Sequence, residues 1–263
     1  MTNNIDWWKS YFGKAETQKI AYAIRNKCIS QGKITEEFER KLAAFLKVDN
    51  VIAVTNGSSG ILAALMAAGV GPGDEVIIPN RTWIATANSV HLLGAQVVLI
   101  DVEPNRPIID ASKIEEHITA KTKVIIPVHM NGRSADMEKI SDIAKRHSIF
   151  LIEDACQALA SKNQKGYLGT QSNIGCFSLS IAKSISTGQG GFAVTNDPDQ
   201  ARRLRKIRNQ GMDNIMYQES WAMPGFNFKY NDILAAIGIE QLKKLPVHIE
   251  RVIEIYEMYT EGI

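Results

Sequence analysis

Val51-Ile-Ala-Val54-Thr55-Asn56-Gly57-Ser58-Ser59-Gly60-Ile61-Leu-Ala-Ala-Leu65 begins as a β-branched apolar run, ends in a small-residue turn and opens directly into a helical pattern. A strand feeding a helix in this way predicts an α/β fold, and the rest of the chain repeats the alternation. Working outward, β-branched runs at 51–55, 75–79, 96–102, 123–128, 149–153, 175–180 and 191–195 predict seven strands. Apolar residues recur at helical spacing over 59–69, 82–93, 112–119 and 135–147, between most of these strands. The expectation is a seven-stranded, mostly parallel sheet with helices on both faces. Two helices are expected over 14–46, two more over 197–211 and 230–245, and a last amphipathic one over 246–263. No repeat or low-complexity stretch interrupts the pattern. Residues 1–245 therefore read as one domain with N-terminal helices, and 246–263 as the start of a truncated continuation.

At 263 residues and 45% hydrophobic content the chain can bury a sizeable core. Its 30 Lys and Arg against 28 Asp and Glu leave a net charge of +2, scattered rather than striped, which argues against a nucleic-acid partner. Cys28, Cys156 and Cys176 are far apart and odd in number, which suits a reducing compartment and predicts the cytoplasm. The N-terminus, Met1 to Trp8, lacks a charged-then-apolar signal pattern, and the longest apolar stretch, 61–70, is too short to span a bilayer, so no membrane partner is expected. The five histidines show no metal-ligand spacing; His129 alone falls at a predicted strand end, and no metal is assigned.

The turn at 56–60 reads as an anion cradle, because the free amides and dipole at a helix N-terminus favour a phosphate and small side chains let it approach. An ordinary N-cap by Ser58 or Ser59 is the plainer reading of that turn alone. A second segment, Leu151-Ile-Glu-Asp154-Ala-Cys-Gln157, ends a predicted buried strand on a carboxylate, where ligands sit in open α/β sheets. Such a carboxylate needs a partner, and a protonated pyridine nitrogen would serve; the alternative is a helix cap beside a solvated Glu153. A third, Cys176-Phe-Ser178-Leu-Ser-Ile-Ala-Lys183-Ser-Ile-Ser-Thr187-Gly-Gln-Gly-Gly191, places a lysine between an almost uncharged run and a glycine-rich turn. A lone lysine is nearly always a surface charge, but these surroundings suit an amine that forms a Schiff base with a cofactor aldehyde. Gln157 is placed to donate to the ring oxygen of that cofactor, Ser178 to reach its phosphate, and Trp83 to stack on its ring. Alone, Trp83 would pass for core. Together the segments read as a pyridoxal phosphate site.

The Gly57-Ser-Ser-Gly60 turn, Gly73-Asp-Glu-Val-Ile77, Trp83-Ile-Ala-Thr-Ala-Asn88, Pro127-Val-His129, Glu153-Asp-Ala-Cys-Gln157 and the run from Phe177 through Lys183 to Gly191 resemble the DegT/DnrJ family of aminotransferases. The resemblance extends from Gly32 to Lys229. It implies the aspartate aminotransferase fold, that is, the large domain of a fold-type I pyridoxal phosphate enzyme with its small C-terminal domain mostly absent. It implies that Lys183 is the catalytic residue and that Asp154 pairs with the pyridine nitrogen and Gln157 with the ring oxygen. It also implies that Trp83 covers the ring and that Ser58, Ser59 and Ser178 hold the phosphate. Asn227 would reach the phosphate of a neighbouring subunit, making the active unit a homodimer. The implied reaction moves an amino group, by resemblance from glutamate, to a nucleotide-linked keto-6-deoxy sugar, with 4-keto favoured by the Thr-Gly-Gln-Gly-Gly ending. Lys183 disfavours the dehydratases that carry histidine there. Gln189 and Ser180 depart from the family pattern, at positions usually held by glutamate and by an aromatic or histidine. Another reaction on the same fold, such as dehydration or cyclitol transamination, stays open, as does a shortened non-catalytic partner.

Overall fold

In a computed structural model that describes residues 10–212 and 223–262, each predicted strand is present. In chain order the elements are α1 (Lys14–Arg25), α2 (Lys33–Leu46), β1 (Asn50–Val54), α3 (Gly57–Ala67), β2 (Glu75–Pro79), α4 (Ala85–Leu92), β3 (Gln96–Ile100) and β4 (Thr122–Ile125). They continue as α5 (Met137–Arg146), β5 (Phe150–Asp154), β6 (Lys162–Asn163), β7 (Gly166–Tyr167), β8 (Ile174–Ser178), β9 (Gly191–Thr195), α6 (Pro198–Arg208) and α7 (Asp232–Glu261). The main sheet has the order β1-β9-β8-β5-β4-β2-β3. Neighbours from β8 to β3 pair in parallel, and β9 runs antiparallel to both β1 and β8.

The period-2 alternation of each strand divides its side chains between two cores. Ile52 and Val54 of β1, Val76 and Ile78 of β2 and Ile152 of β5 join Ile61, Leu65 and Leu204 of α3 and α6. The intervening Val51 and Ala53 face Phe38 and Leu42 of α2 and Ile239 of α7, and Ile77, Ile125 and Leu151 face Ile140 and Ile143 of α5. With both faces covered, β8 and β9 are buried at every position, which is why they read as continuous apolar runs. β1, β2, β4, β5 and β8 all deliver their carboxyl ends to the same edge of the sheet, where a ligand site is expected in such folds.

Three elements differ from the sequence reading. The helix expected over 112–119 is two 3-10 turns, Ala111–Lys113 and Glu115–His117. Ala111 and Ile114, three apart, are its buried side chains, a spacing that a 3-10 turn aligns on one face. The helix expected from 82 starts at Ala85, because Thr82 and Trp83 line a cavity instead. The helices expected over 230–245 and 246–263 are one, α7, which passes through Pro246. An interior proline forfeits one backbone hydrogen bond and costs about 3 kcal/mol. Packing of Leu242, Leu245 and Ile249 on either side of it offsets that penalty. The short ribbon β6–β7 was not anticipated; two-residue strands carry no readable period. The signal-free reading of residues 1–8, and Ile263 at the end of the last expected helix, lie outside the described residues.

Asp232, buried at the start of α7, joins the ends of the chain. It accepts from the amides of Gly32 (2.9 Å), Ile34 (3.4 Å) and Thr35 (2.8 Å) and from the Thr35 hydroxyl (2.7 Å), so a side chain of the last helix caps the second.

Candidate active site

A cavity of about 320 Å³ opens at the carboxyl edge of the sheet, lined by Ser58, Trp83, Asp154, Gln157, Ser178 and Lys183 among others. Its floor is the N-terminus of α3. Asn56 caps that helix by accepting from the Ser59 amide (2.8 Å), and the Gly60 amide donates to the Asn56 carbonyl (3.1 Å). Of the first-turn amides this leaves those of Gly57 and Ser58 for a ligand. The close seat of α3 demands glycine: a Cβ on Gly57 would lie 2.8 Å from Cys156 Sγ and 3.0 Å from Ser178 Cβ. Ser178 Oγ accepts from the Ser180 amide at 3.3 Å, so its own proton remains to be donated. Two amides and the hydroxyls of Ser58 and Ser178 thus converge at a helix N-terminus, a donor set that fits a phosphate.

Ser59 stands apart from this cradle. Its hydroxyl donates to the Asn56 carbonyl (2.8 Å), lies 3.0 Å from the Thr55 hydroxyl and accepts from the Asn56 amide (3.1 Å). It is part of the cap and does not line the cavity. Asn227 also lies outside the cavity, exposed, with its Oδ1 accepting from the Lys229 amide at 3.4 Å.

Asp154, nearly buried at the end of β5, closes the opposite wall. Thr86 Oγ1 donates to Oδ2 at 2.9 Å and the Cys156 amide to Oδ1 at 3.1 Å. These donors still leave each oxygen acceptor capacity, which fits a protonated ring nitrogen. Burial pushes the Cys156 thiol well above its ordinary range, and the Asp154 charge adds to the effect. The thiol therefore stays protonated and does not compete with Lys183 as a nucleophile.

Glu153 points to the other face of the sheet. Far from being solvated, it is fully buried and accepts from the amides of Gly169 (2.8 Å) and Gln171 (2.7 Å) and from His129 Nε2 (2.9 Å). The Ala135 amide donates to His129 Nδ1 at 3.2 Å, which fixes the imidazole as the Nε2–H tautomer. His129 at its strand end is thus a buried strut rather than a site residue.

Lys183 sits half-buried on the loop between β8 and β9 and lines the cavity wall. The loop is braced from below. Thr187 donates to the Gln189 carbonyl (2.7 Å) and Tyr230 donates to Thr187 (2.7 Å); burial pushes the Tyr230 phenol up, so it stays a donor. Gly190 has φ +157° and no room for a Cβ, which would fall 2.8 Å from Thr187 Oγ1. Trp83, 71% exposed, stands at the cavity edge with most of its indole uncovered. Gln157 has its Oε1 engaged by the Asn131 amide at 3.0 Å, and that contact assigns its Nε2 as the end free to donate. Asn131 carries this amide in a left-handed conformation, φ +53°. It was not anticipated as a contributor, and a lone asparagine before Gly132 gives no signal beyond that of a turn.

A lysine, a carboxylate and a helix N-terminus with free amides share one cavity at the carboxyl edge of a mostly parallel seven-stranded sheet, the architecture of the fold-type I transferases. The match to the DegT/DnrJ/EryC1/StrS aminotransferase family spans residues 11–263, and the chain belongs to that family. It is similar to the GDP-perosamine synthase of Caulobacter vibrioides, 42% identical over 232 residues that cover 87% of this chain and 62% of the relative. Among solved structures it is similar to S. venezuelae DesV, with TM-score 0.84 and 33% identity over 88% of this chain and 62% of that one. It is also similar to the pyridoxal phosphate form of the sugar aminotransferase Spr1654 of Streptococcus pneumoniae, with TM-score 0.93 and 25% identity over 98% and 71%. The chain spans about three fifths of the length of the curated relatives it matches.

Proposed function

We propose that this chain provides the cofactor-binding domain of a pyridoxal phosphate-dependent aminotransferase that moves an amino group from glutamate to a nucleotide-linked keto sugar, with a 4-keto-6-deoxy sugar the favoured acceptor. The observation that carries the reading is the one cavity that Lys183 and Asp154 share with Gly57 and Ser58 at the N-terminus of α3. When bound there, the cofactor supplies an electron sink for the amine transfer. The Gly57 and Ser58 amides with the Ser58 and Ser178 hydroxyls would hold its phosphate, and Asp154 would keep its ring nitrogen protonated. Gln157 Nε2 would donate to the ring oxygen, and Trp83 would cover one face and exclude water. Lys183 would supply the amine that anchors the cofactor aldehyde and, once displaced by the amino donor, the base that carries a proton between the two carbons flanking the transferred nitrogen in each half-reaction.

Asn227, exposed and outside this chain's own cavity, suits the reading in which it reaches the phosphate of a second copy in a homodimer. Residues 1–245 act as the large domain, and 246–263 as the first part of a smaller C-terminal one. The relatives' names, a GDP-perosamine synthase and a sugar aminotransferase, support the substrate class. Among the described residues no helix is long and apolar enough to cross a membrane; the three free, widely spaced cysteines favour a reducing compartment, and on that ground the cytoplasm is our placement.

The test is borohydride reduction of the chain mixed with pyridoxal phosphate, followed by peptide mass mapping. The reading expects the pyridoxyl group on Lys183 and loss of the visible absorption band when glutamate is added. A label elsewhere, or none, overturns it. Amine transfer assayed with 4-keto and 3-keto nucleotide sugars then decides the acceptor.

A further inference from the structure

In the cavity lining, Thr82, Thr86 and Asp154 form a line of hydrogen bonds whose proton directions follow from an ionised Asp154. Thr86 Oγ1 lies 2.9 Å from Asp154 Oδ2 and 3.0 Å from Thr82 Oγ1. An ionised carboxylate only accepts, so the single hydroxyl proton of Thr86 goes to Asp154. Thr86 must then accept from Thr82, whose proton completes the line. Thr86 is fully buried, so water does not supply a replacement donor. The other carboxylate oxygen is held by the Cys156 amide at 3.1 Å. That donor is backbone and insensitive to side-chain substitution. Thr82 also precedes Trp83 in the loop that enters α4, so the same line anchors the loop carrying the indole to the carboxylate.

We propose that Thr86, backed by Thr82, is a positioning residue that fixes Asp154 in its ionised, ring-facing orientation and registers Trp83 over the same ring. The inference rests on the reading that a pyridine nitrogen meets Asp154. Hydrogen-bonded chains strengthen along their length in a low-dielectric site, so the effect of Thr82 reaches the carboxylate through Thr86. Losing one hydrogen bond to a charged group weakens binding by about tenfold or more.

The experiment compares the protein with its Thr86→Val, Thr86→Ser and Thr82→Val variants. Pyridoxal phosphate affinity is followed by tryptophan fluorescence, and protonation of the bound ring by the resonance of a cofactor labelled with ¹⁵N at the ring nitrogen. Thr86→Val keeps the side-chain shape and removes the donor. It should weaken cofactor binding by about tenfold or more and move the ¹⁵N resonance from pyridinium toward neutral pyridine. Thr86→Ser, which restores the hydroxyl, should recover both. Thr82→Val alters a half-buried position without opening the core, and should move the same resonance in the same direction by less. A pyridinium resonance and unchanged affinity in Thr86→Val overturn the relay, as does an unmoved resonance in Thr82→Val or a failure of Thr86→Ser to rescue. Absence of cofactor binding by the unsubstituted protein overturns the functional reading and the relay together, so the two failures are told apart.

Discussion

Lys183 and Gly175 show how far a single position can constrain this molecule. Lys183 stands on a braced loop whose supports, Thr187, Tyr230 and Gly190, lie behind it rather than on its amine. Lys183→Ala should therefore fold normally by circular dichroism and lose the borohydride-trapped label. Amine transfer should fall at least about a hundredfold, the usual scale for removing a proton-transferring group. An active Lys183→Ala protein would remove this lysine from the chemistry. Gly175, in the middle of β8, has no spare volume: a Cβ there would lie 1.7 Å from the Gly169 carbonyl oxygen. That loop cannot retreat, because the Gly169 amide is tied to buried Glu153. Gly175→Ala is expected to cost about 3 kcal/mol in urea unfolding, the upper end for overpacking a tight core. A loss under about 1 kcal/mol would mean that the loop is free to move.

Among the elements, Asp232 makes the sharpest claim, because its carboxylate serves the N-terminus of a helix far away in sequence. Asp232→Ala should lower stability by about 2 kcal/mol or more, combining a lost cap with buried amides left unpaired; Asp232→Asn should keep part of it. A denaturation midpoint unchanged by Asp232→Ala would contradict this account. Nothing in the sequence pairs Asp232 with Gly32 and Thr35, since side-chain caps between distant segments have no local period. The strands were legible for the opposite reason: burial on both faces makes β8 and β9 almost uncharged, near-continuous apolar runs. Lys183, Asp154, Gln157, Trp83, Ser58 and Ser178 could be picked out because each stands at or soon after the end of a readable strand, and the structure brings all six around one cavity. Ser59 drew notice for the same reason, since the residue types that suit a phosphate also cap helices; the geometry shows its hydroxyl turned back to Asn56. Asn131 stands in no motif, and Thr86, though inside the 83–88 segment, carries no sign there of its partner; their contacts come from a backbone amide and a hydroxyl aimed across the fold. The 3-10 turns at 111–117 and the continuous α7 mark places where tertiary packing overrides local spacing and proline.

At the scale of the whole molecule, Glu16 ties α1 to α7. Its Oε1 accepts from Lys244 (2.5 Å) and Gln241 (2.8 Å), and its Oε2 from the Gly13 amide (2.9 Å). Burial alone would raise this carboxyl, but the bonds from Lys244, Gln241 and the backbone outweigh it and hold it below the ordinary 4.5. A carboxyl lowered by folding contributes stability that is complete above the ordinary value and is lost as pH falls through the folded one. Urea midpoints measured from pH 7 to pH 3 should drop on the acid side, and Glu16→Gln should flatten that drop while lowering stability at neutral pH. Parallel pH curves for the two proteins would rule the contact out as an acid-sensitive link. The antiparallel strand β9 sets the order in which the molecule can be assembled. β1, which leads into the phosphate cradle, pairs within the main sheet with β9, Asn50 opposite Thr195. A nascent chain leaving the ribosome thus carries β1 without its partner until residue 195 has been synthesised. Such distant pairings close slowly and leave an apolar strand exposed meanwhile. The segment that forms the helix N-terminus at the cavity is encoded early and completed late, so the growing chain must keep 50–67 from mispairing while the sequence as far as residue 195 follows.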